Sequence, residues 1–258
     1  MRADLFLTVH QHAASRAQAK RLIEGGHVRI DGCVIEKASA DVPEGEHTVE
    51  VSDPLVYVGR GGWKLEAALD AFCMDVTDLT AVDIGASTGG FTDCLLQRGA
   101  RHVWAVDSGS DQLAPSLRRD ARVTSMEHCN ARYLTPDMIG GCVRLIVMDV
   151  SFISATYLIP RFPALLEDGG DAVCLIKPQF EVGKSMIGKS GIVKDAHAHR
   201  YAVERVLDAG RAVGLVPVGL IVSPVTGGDG NREFLVRFTK DGMATDKIDK
   251  NQIRLVTG

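Results

Sequence analysis

From residue 80 onward, short apolar runs alternate with longer stretches in which apolar positions recur every three or four residues. Strands covered by helices on both faces are apolar throughout, as the run Leu-Ile-Val-Met at 145–148 is. The alternation therefore predicts an α/β domain with a doubly wound, Rossmann-like sheet. The predicted strands are residues 81–84, 103–106, 145–148, 172–176, 216–222 and 234–238.

The N-terminal part of the chain has a different pattern. A Ser-x-x-Gln capping box begins at Ser15, and the segment 16–24 behind it has its apolar residues on one face, which predicts a short helix. The dipeptide Asp31-Gly32 then separates two segments of alternating polarity, as the turn of a β-hairpin does. Residues 1–58 are thus predicted to form a small α+β domain.

Glycines interrupt the chain after a further predicted strand at 49–51. The stretch Gly-Arg-Gly-Gly at 59–62 predicts a linker, or a loop that another segment approaches closely. We therefore expect a linker over residues 59–63 and a large domain over residues 64–258. A chain of 258 residues has room for one large domain and one small one.

Composition bounds the class of protein. With 45% hydrophobic and 24% charged residues, the chain is typical of globular proteins. The longest uncharged run, 212–228, holds two prolines and four glycines, so we expect no membrane-spanning helix. Because a secretory pattern is also missing, we expect a cytoplasmic protein. The six cysteines form no C-x-x-C pair, which disfavours disulfides and metal sites and predicts buried thiols.

The net charge of −4 hides a local asymmetry. Residues 1–29 hold five Lys and Arg side chains against two acids, whereas residues 30–53 hold one lysine against seven acids. One surface of the small domain is therefore predicted to be basic and its neighbour acidic. A few positive charges on a helix can also be a solvated face with no ligand.

The segment around the predicted hairpin resembles the small RNA-binding domain of the fourth small-subunit ribosomal protein, pseudouridine synthases and tyrosyl-tRNA synthetases. The similarity lies in basic helix residues, a double glycine at 25–26 and the stretch Val-Arg-Ile-Asp-Gly at 28–32. In that family the helix and first strand present basic side chains to structured RNA. The resemblance implies RNA contacts from Arg16, Lys20, Arg21 and Arg29.

The first strand of the large domain ends in a glycine-rich loop, Asp-Ile-Gly-Ala-Ser-Thr-Gly-Gly-Phe-Thr at 83–92, and the second ends at Asp107. Glycines let the backbone approach a ligand, and an acid at the end of the second strand can accept both ribose hydroxyls. The loop lacks the G-x-G-x-x-G spacing of NAD sites and is similar to that of S-adenosylmethionine-dependent methyltransferases. A plain turn with a capping Asp is the alternative.

Three more strand ends each supply one charged residue, namely Asp149, Lys177 and Glu233, and Lys64 follows the linker. A single charge at a strand end is usually only a surface residue. Several at one edge of an α/β sheet are expected where ligands bind. The sequence therefore predicts a charged cluster there.

Residues 183–190 match the P-loop pattern G-x-x-x-x-G-K-[ST] and on their own indicate an NTPase. A P-loop joins a strand directly to a helix, whereas residues 178–182 intervene here and the next helix is predicted to begin at Asp195. We therefore interpret the segment as a basic lip that closes over RNA, with Lys184 and Lys189 as contacts.

Over nearly the whole chain, the sequence resembles the TlyA family, some members of which are called haemolysins. That family joins the RNA-binding domain to an FtsJ-like methyltransferase domain and methylates ribose 2′-hydroxyls, here expected on cytidine, in ribosomal RNA. Gly59 is a departure, because many members have serine there. The matching segments are 60–65, 83–92, 149–154, 177–181 and 231–234.

The resemblance implies a catalytic tetrad of Lys64, Asp149, Lys177 and Glu233. A ribose hydroxyl must lose its proton as it attacks a sulfonium methyl group, so a base is needed. We expect Lys177 to be the base, Asp149 and Glu233 to orient it, and Lys64 to position the substrate and tune the base. A lysine has a reference pKa of about 10.4, so burial or a nearby cation must favour its neutral form.

S-adenosylmethionine is the implied cofactor, with no metal, and ribosomal RNA or a ribosomal subunit is the implied partner of a monomer that does not bind membranes. Two other functions stay open: an RNA-binding protein with an inactive methyltransferase domain, which the tetrad disfavours, and a membrane-active haemolysin, which lacks an amphipathic or spanning segment. An RNA contact is also expected from Arg60. The expected cofactor contacts are Asp83, Gly85, Ser87, Thr88, Gly89, Phe91, Asp107 and Asn130.

Overall fold

A computed structural model gives the fold of the chain. The chain divides into two compact units, Met1–Val56 and Tyr57–Gly258, so the division lies close to the predicted boundary at residue 58. The residues that the structure describes are 1–10, 12–13, 16–51, 57–188, 190–227 and 230–258.

The N-terminal unit consists of two helices and a three-stranded sheet in the order β2-β1-β3. Its α2 has the bounds that the sequence predicts, whereas α1 was not predicted, and Ser15 of the predicted capping box lies outside the described residues. The elements are α1 Ala3–Val9, α2 Arg16–Glu24, β1 Val28–Ile30, β2 Cys33–Val34 and β3 Val49–Val51.

The predicted hairpin turn joins β1 to β2. Asp31 and Gly32 have φ angles of 51° and 76°, as the two central residues of a type I′ turn require. Leu7 of α1, Ile23 of α2 and Val28 of β1 are buried together in the core of this unit. This packing explains why so short a segment forms a unit of its own.

The C-terminal unit is a seven-stranded sheet with helices packed against it. All six predicted strands are present, and Val123–Met126 adds an edge strand whose two central polar residues leave no apolar run. The helices are α3 Gly61–Ala71, α4 Gly90–Gln97, α5 Pro115–Arg118, α6 Phe162–Leu165, α7 Pro178–Glu181, α8 Ala196–Ala212 and α9 Lys250–Thr257. The strands are β4 Thr80–Ile84, β5 His102–Val106, β6 Val123–Met126, β7 Val143–Met148, β8 Leu166–Ile176, β9 Val216–Val222 and β10 Phe234–Thr239.

The sheet order is β6-β5-β4-β7-β8-β10-β9. The five strands β6, β5, β4, β7 and β8 are parallel to one another, and β10 runs antiparallel to both β8 and β9. The chain therefore reverses its strand order beside β4, which is where ligands bind in open α/β sheets. The expectation of a doubly wound, Rossmann-like domain with a small N-terminal α+β unit is confirmed.

The segment predicted as a linker, 59–63, includes the start of α3 at Gly61. Close packing accounts for the glycines, because a Cβ on Gly59 would lie 2.6 Å from Thr88 Oγ1 and one on Gly61 would lie 3.2 Å from Phe91 Cδ1. The glycines let the beginning of α3 approach the glycine-rich loop. The stretch is thus the close-approach loop that the sequence offered as the other interpretation.

The prediction of six buried cysteines holds for two, because three are exposed and Cys129 is half-buried. Cys33, Cys73 and Cys142 are exposed, whereas Cys94 and Cys174 are buried. The exposed thiols lie on the edge strand β2, after the end of α3 and before the start of β7. Only the positions inside a central strand or helix are covered on all sides.

Candidate active site

Four charged side chains meet at one edge of the large sheet. β4, β7 and β8 are parallel and end there, so Asp149 after β7 and Lys177 after β8 are neighbours. β10 runs antiparallel to β8 and begins at this edge, which places Glu233 there as well. Lys64 joins the cluster from α3. All four side chains line one cavity of about 570 Å³.

The four residues form two ion pairs. Lys64 Nζ donates to Glu233 Oε2 at 2.5 Å. Lys177 Nζ lies 2.5 Å from Asp149 Oδ1 and donates to Ser151 Oγ at 2.8 Å. Asp149 Oδ1 accepts no hydrogen bond from the described residues, so its contact with Lys177 is an ion pair that lacks hydrogen-bond angles. A ligand in the cavity can donate the hydrogen bond that Asp149 Oδ1 lacks.

The two pairs differ in burial. The Lys64 and Glu233 side chains are 7% and 2% exposed, and those of Lys177 and Asp149 are 12% and 20% exposed. Burial raises the pKa of the Glu233 carboxyl, and the positive charge of Lys64 opposes that rise. Glu233 was expected to orient Lys177, but its hydrogen bond goes to Lys64. A ligand in the cavity therefore has more access to Lys177 and Asp149 than to Lys64 and Glu233.

The glycine-rich loop lies beside this cluster. Gly85 has a φ of 84°, and a Cβ there would lie 2.5 Å from the Asp149 backbone oxygen, so only glycine fits the approach. Asp107 accepts hydrogen bonds from Ser87 N at 2.8 Å and from Gly109 N at 2.7 Å. These two donors fix the carboxylate and leave it lone pairs for a ribose diol.

A second cavity, of about 580 Å³, adjoins the cavity of the charged cluster. Asp107 and Asn130 line it, and it shares Gly85, Asp149 and Ser151 with the cavity of the charged cluster. A nucleoside bound at Asp107 can thus place its other end beside Asp149. The residues present fit S-adenosylmethionine, whose ribose Asp107 would hold.

The other predicted cofactor residues occupy different places. Thr88 and Phe91 line the cavity of the charged cluster, and Ser87 lines both cavities. Asn130 caps a 3₁₀ turn by accepting a hydrogen bond from Arg132 N at 3.1 Å. Gly89 lines neither of the two cavities and forms the left-handed start of α4, with a φ of 96°.

Asp83 holds the two ends of the glycine-rich loop together by bonding to Thr92, and it lines neither cavity. It is fully buried, and its Oδ2 accepts hydrogen bonds from Thr92 N at 2.9 Å and Thr92 Oγ1 at 2.7 Å. Its Oδ1 has no partner among the described residues. Burial raises the pKa of this carboxyl to about 7, and the hydrogen bonds from Thr92 oppose the rise.

Asp83→Asn is expected to flatten the pH dependence of stability. The pKa of Asp83 is raised from 3.8 in a free side chain to about 7 in the fold, so the native protein holds a proton that the unfolded chain has lost. The wild-type free energy of unfolding should therefore fall by up to about 4 kcal/mol as the pH rises from about 4 through 7. Urea unfolding between pH 4 and pH 8 measures the slope, and equal slopes in both proteins would contradict the prediction.

Asp107→Ala is expected to weaken S-adenosylmethionine binding by up to about a hundredfold, because the ribose hydroxyls lose their acceptor. Titration calorimetry on the whole protein measures the loss. Asp111→Ala is the control, because that exposed carboxylate follows the same strand but pairs with Arg118. Tight binding of NAD or ATP with none of S-adenosylmethionine would show that the cofactor is misassigned.

The predicted RNA contacts of the N-terminal unit are partly engaged in pairs. Arg16 donates to Asp4 at 2.8 Å, and hydrogen bonds from Arg2 and Arg16 lower the pKa of the Asp4 carboxyl to about 2. Lys20 lies 3.6 Å from Glu24, and Arg29 donates to the backbone oxygen of Gly32. The side chain of Arg21 lies outside the described residues.

The P-loop match lacks the surroundings of a P-loop in the described residues. β8 is followed by α7 and a 3₁₀ turn at Lys184–Met186, and α8 begins only at Ala196, with Asp195 accepting from Ala198 N. Lys184 is exposed, and Arg60 lines the cavity of the charged cluster. Lys189 lies outside the described residues.

Several cavity residues were missed because only charged residues were sought at the strand ends. Ser151, Phe152, Gln179 and Phe180 all line the cavity of the charged cluster. Phe152 is 92% exposed with a φ of 64°, and its ring centroid lies 5.4 Å from that of Phe180. All four lie in the segments 149–154 and 177–181, so the motifs themselves contained the signal.

The described residues show neither a metal-binding cluster nor a membrane-spanning helix. They contain no group of three or more His, Cys, Asp or Glu side chains arranged to hold a metal ion. Within the same residues, every helix is too short or too polar to cross a bilayer.

Comparison with known proteins extends these findings. The profile of FtsJ-like methyltransferases matches residues 57–240, and that of the S4 domain matches residues 1–47. The 16S/23S rRNA (cytidine-2'-O)-methyltransferase TlyA of Mycobacterium tuberculosis is 44% identical over 236 residues, which are 91% of this chain and 88% of that protein. Hemolysin A of Brachyspira hyodysenteriae is 37% identical over 243 residues, covering 92% of this chain and 99% of that one.

Solved structures agree with this assignment. A hemolysin-named protein from Streptococcus thermophilus superposes with a TM-score of 0.77 at 40% identity, over 100% of this chain and 94% of that one. An S-adenosylmethionine-dependent methyltransferase from Mesorhizobium loti shares the fold at 16% identity, with a TM-score of 0.50 over 67% of this chain and 96% of that one. With an N-terminal S4 domain and an FtsJ-like methyltransferase domain that matches most of its length, this chain belongs to the TlyA family of ribosomal RNA methyltransferases.

Proposed function

We propose that this protein transfers the methyl group of S-adenosylmethionine to the 2′-hydroxyl of a cytidine ribose in ribosomal RNA. The observation that supports this most directly is the pair of Lys–carboxylate contacts in one cavity, beside a second cavity lined by Asp107. The 44% identity to an enzyme named for cytidine 2′-O-methylation supports the choice of nucleotide.

Lys177 is the proposed base. Its Nζ donates a hydrogen bond to Ser151 Oγ and lies 2.5 Å from Asp149 Oδ1. In its neutral form Nζ has a lone pair, which accepts the proton of the ribose hydroxyl as the oxygen attacks the methyl group. The ammonium that results is stabilised by Asp149. S-adenosylmethionine supplies an activated methyl group, so the reaction needs no metal.

Lys64 and Glu233 are proposed to position the substrate. Their pair is nearly neutral as a unit and sealed from water, so it gives the wall of the cavity a fixed shape. A hydroxyl held in line for attack gains several kcal/mol from orientation alone, about 7 or more in well-oriented cases. The pair thus contributes geometry, while Lys177 accepts the proton.

Labelled S-adenosylmethionine tests the proposal with isolated small and large ribosomal subunits and with the naked RNA of each. We expect label in RNA that resists alkaline cleavage, because a methylated 2′-oxygen can no longer attack the neighbouring phosphate. Mapping the alkali-resistant linkage identifies the nucleotide. Label that is lost to alkali, or that appears on a base, would contradict 2′-O-methylation.

The S4 domain is proposed to hold the RNA by its phosphates. Lys20→Gln together with Arg29→Gln is expected to weaken RNA binding and to reduce the slope of log K against log salt by about two, because each phosphate contact contributes about one. Filter binding between 50 and 200 mM salt measures the slope. Lys37→Gln, on the acidic part of the same unit, is the control. An unchanged slope would show that this face is only solvated.

A further inference from the structure

A buried carboxylate that the reaction does not use joins two loops behind the active site. Glu181 ends α7, on the same segment as Lys177, and is 2% exposed. Its Oε2 accepts from Ser154 Oγ at 2.5 Å and its Oε1 accepts from Ala155 N at 2.7 Å. Ser154 lies on the segment after β7 that also contains Asp149 and Ser151.

A buried carboxylate is costly, because it loses the water that would hydrate its charge. Burial raises the pKa of the Glu181 carboxyl, while the two hydrogen bonds oppose the rise. Arg205 of α8 donates to the Glu181 backbone oxygen at 2.7 Å. The backbone at Glu181 is therefore attached to a long helix of the core, and from this position its carboxylate can hold the other loop in place.

The two loops also touch on the side of the cavity. Lys177 contacts Asp149 and Ser151, and the rings of Phe152 and Phe180 lie 5.4 Å apart. Ser154 and Glu181 make the inner contact between the same two segments. Because Glu181 holds Ser154, the segment after β7 cannot shift relative to the segment that contains Lys177. The inner contact therefore fixes the positions of Asp149 and Ser151 relative to the lysine.

We propose that Glu181 is a positioning residue for methyl transfer, which acts through Ser154 and Ala155 to hold Asp149 and Ser151 against Lys177. This proposal rests on the proposed function. Glu181 itself lines neither of the two cavities. Its effect should appear in the rate of the chemical step and not in the binding of either substrate.

Glu181→Gln tests the proposal in the whole protein. We expect the single-turnover rate at saturating RNA and S-adenosylmethionine to fall by about tenfold to a hundredfold, since small misplacements of reacting groups have effects of that size. The affinities for both substrates should stay within about twofold, a split that a general loss of folded protein would not produce. Ser154→Ala should act in the same direction, and Ser154→Thr, which keeps the hydroxyl, should restore the rate.

Asp171→Asn is the matched control. Asp171 lies in the middle of β8, lines neither cavity and accepts two hydrogen bonds from Arg237, each 3.1 Å long, so its loss should lower stability without lowering the rate. The double variant Ser151→Ala with Glu181→Gln gives a second measurement. If Glu181 acts through Ser151, the methyl-transfer rate of the double variant should be higher than the product of the two single effects predicts.

The outcomes separate the two proposals. A wild-type protein that does not methylate ribosomal RNA overturns the proposed function. An active wild type with Glu181→Gln at the wild-type rate, or with Asp171→Asn equally slow, overturns the positioning role alone. If Glu181→Gln does not fold, the comparison of Ser154→Ala with Ser154→Thr decides, and equal rates in those two variants overturn the role.

Discussion

Replacing Lys177 with arginine or with alanine is expected to lower the single-turnover rate of methyl transfer by about a hundredfold to ten-thousandfold, as the loss of a general base does. Arginine keeps a positive charge beside Asp149 but does not give up its proton in a protein. The affinity for S-adenosylmethionine should change little, because Lys177 does not line the cavity that contains Asp107. Both replacements should therefore lower the rate, and charge alone should not restore it.

Rapid mixing of the protein with labelled S-adenosylmethionine and saturating RNA measures this rate. Lys184→Ala is the control, because Lys184 is an exposed lysine of the P-loop-like segment. It should weaken RNA binding modestly and leave the rate at saturating RNA intact. An active Lys177→Arg protein, together with loss of a nucleotide-dependent activity in Lys184→Ala or Lys189→Ala, would show that Lys177 is not the base and that the segment is a true P-loop.

Lys64→Met is expected to destabilise the fold by about 3 to 5 kcal/mol, because it leaves the Glu233 carboxylate buried without its partner. The pKa of Glu233 is already raised by burial and is held down by Lys64, so it should rise further in the variant. The variant's free energy of unfolding should therefore fall more steeply than that of the wild type as the pH rises above the usual value of a glutamate, about 4.5.

Urea unfolding at several pH values measures both effects. Lys20→Met removes the exposed ion pair with Glu24 and should cost no more than about 1 kcal/mol. Combining Lys64→Met with Glu233→Leu removes both charges and should recover much of the stability, although methyl transfer should remain slow. Equal losses in Lys64→Met and Lys20→Met would contradict the view that the first pair is sealed from water.

Much of the fold could be predicted from the sequence because its central strands are apolar throughout. The run at 145–148 is buried on both faces of the sheet, and these four residues alone are enough to predict a strand. β6 and α9 could not be predicted in this way. β6 is an edge strand with a polar middle, and α9 buries only Ile253 and Thr257 while Asp249 caps its start. Elements with one covered side give too few apolar positions for a clear pattern.

The four charged residues at the sheet edge could be predicted to lie together, but which of them contact one another could not. Charged residues at strand ends are visible in the sequence, and parallel strands bring them to one edge. Which carboxylate each lysine contacts depends on β10, whose antiparallel direction sets Phe234 opposite Ile176. No local sequence pattern indicates that β10 runs antiparallel to β8. The role of Asp83 was missed for a similar reason, since its carboxylate points toward Thr92 inside the unit and not toward the cavity.

The contact between Lys64 and Glu233 joins residues that are 169 positions apart. During synthesis a growing chain therefore contains the glycine-rich loop, Lys64, Asp149 and Lys177 well before Glu233 is added. Contacts between distant positions also form late in folding, because closing the loop between them costs conformational entropy. An unfinished chain thus holds three of the four charged residues without the partner of Lys64, and the charged cluster is complete only after Glu233 has been added.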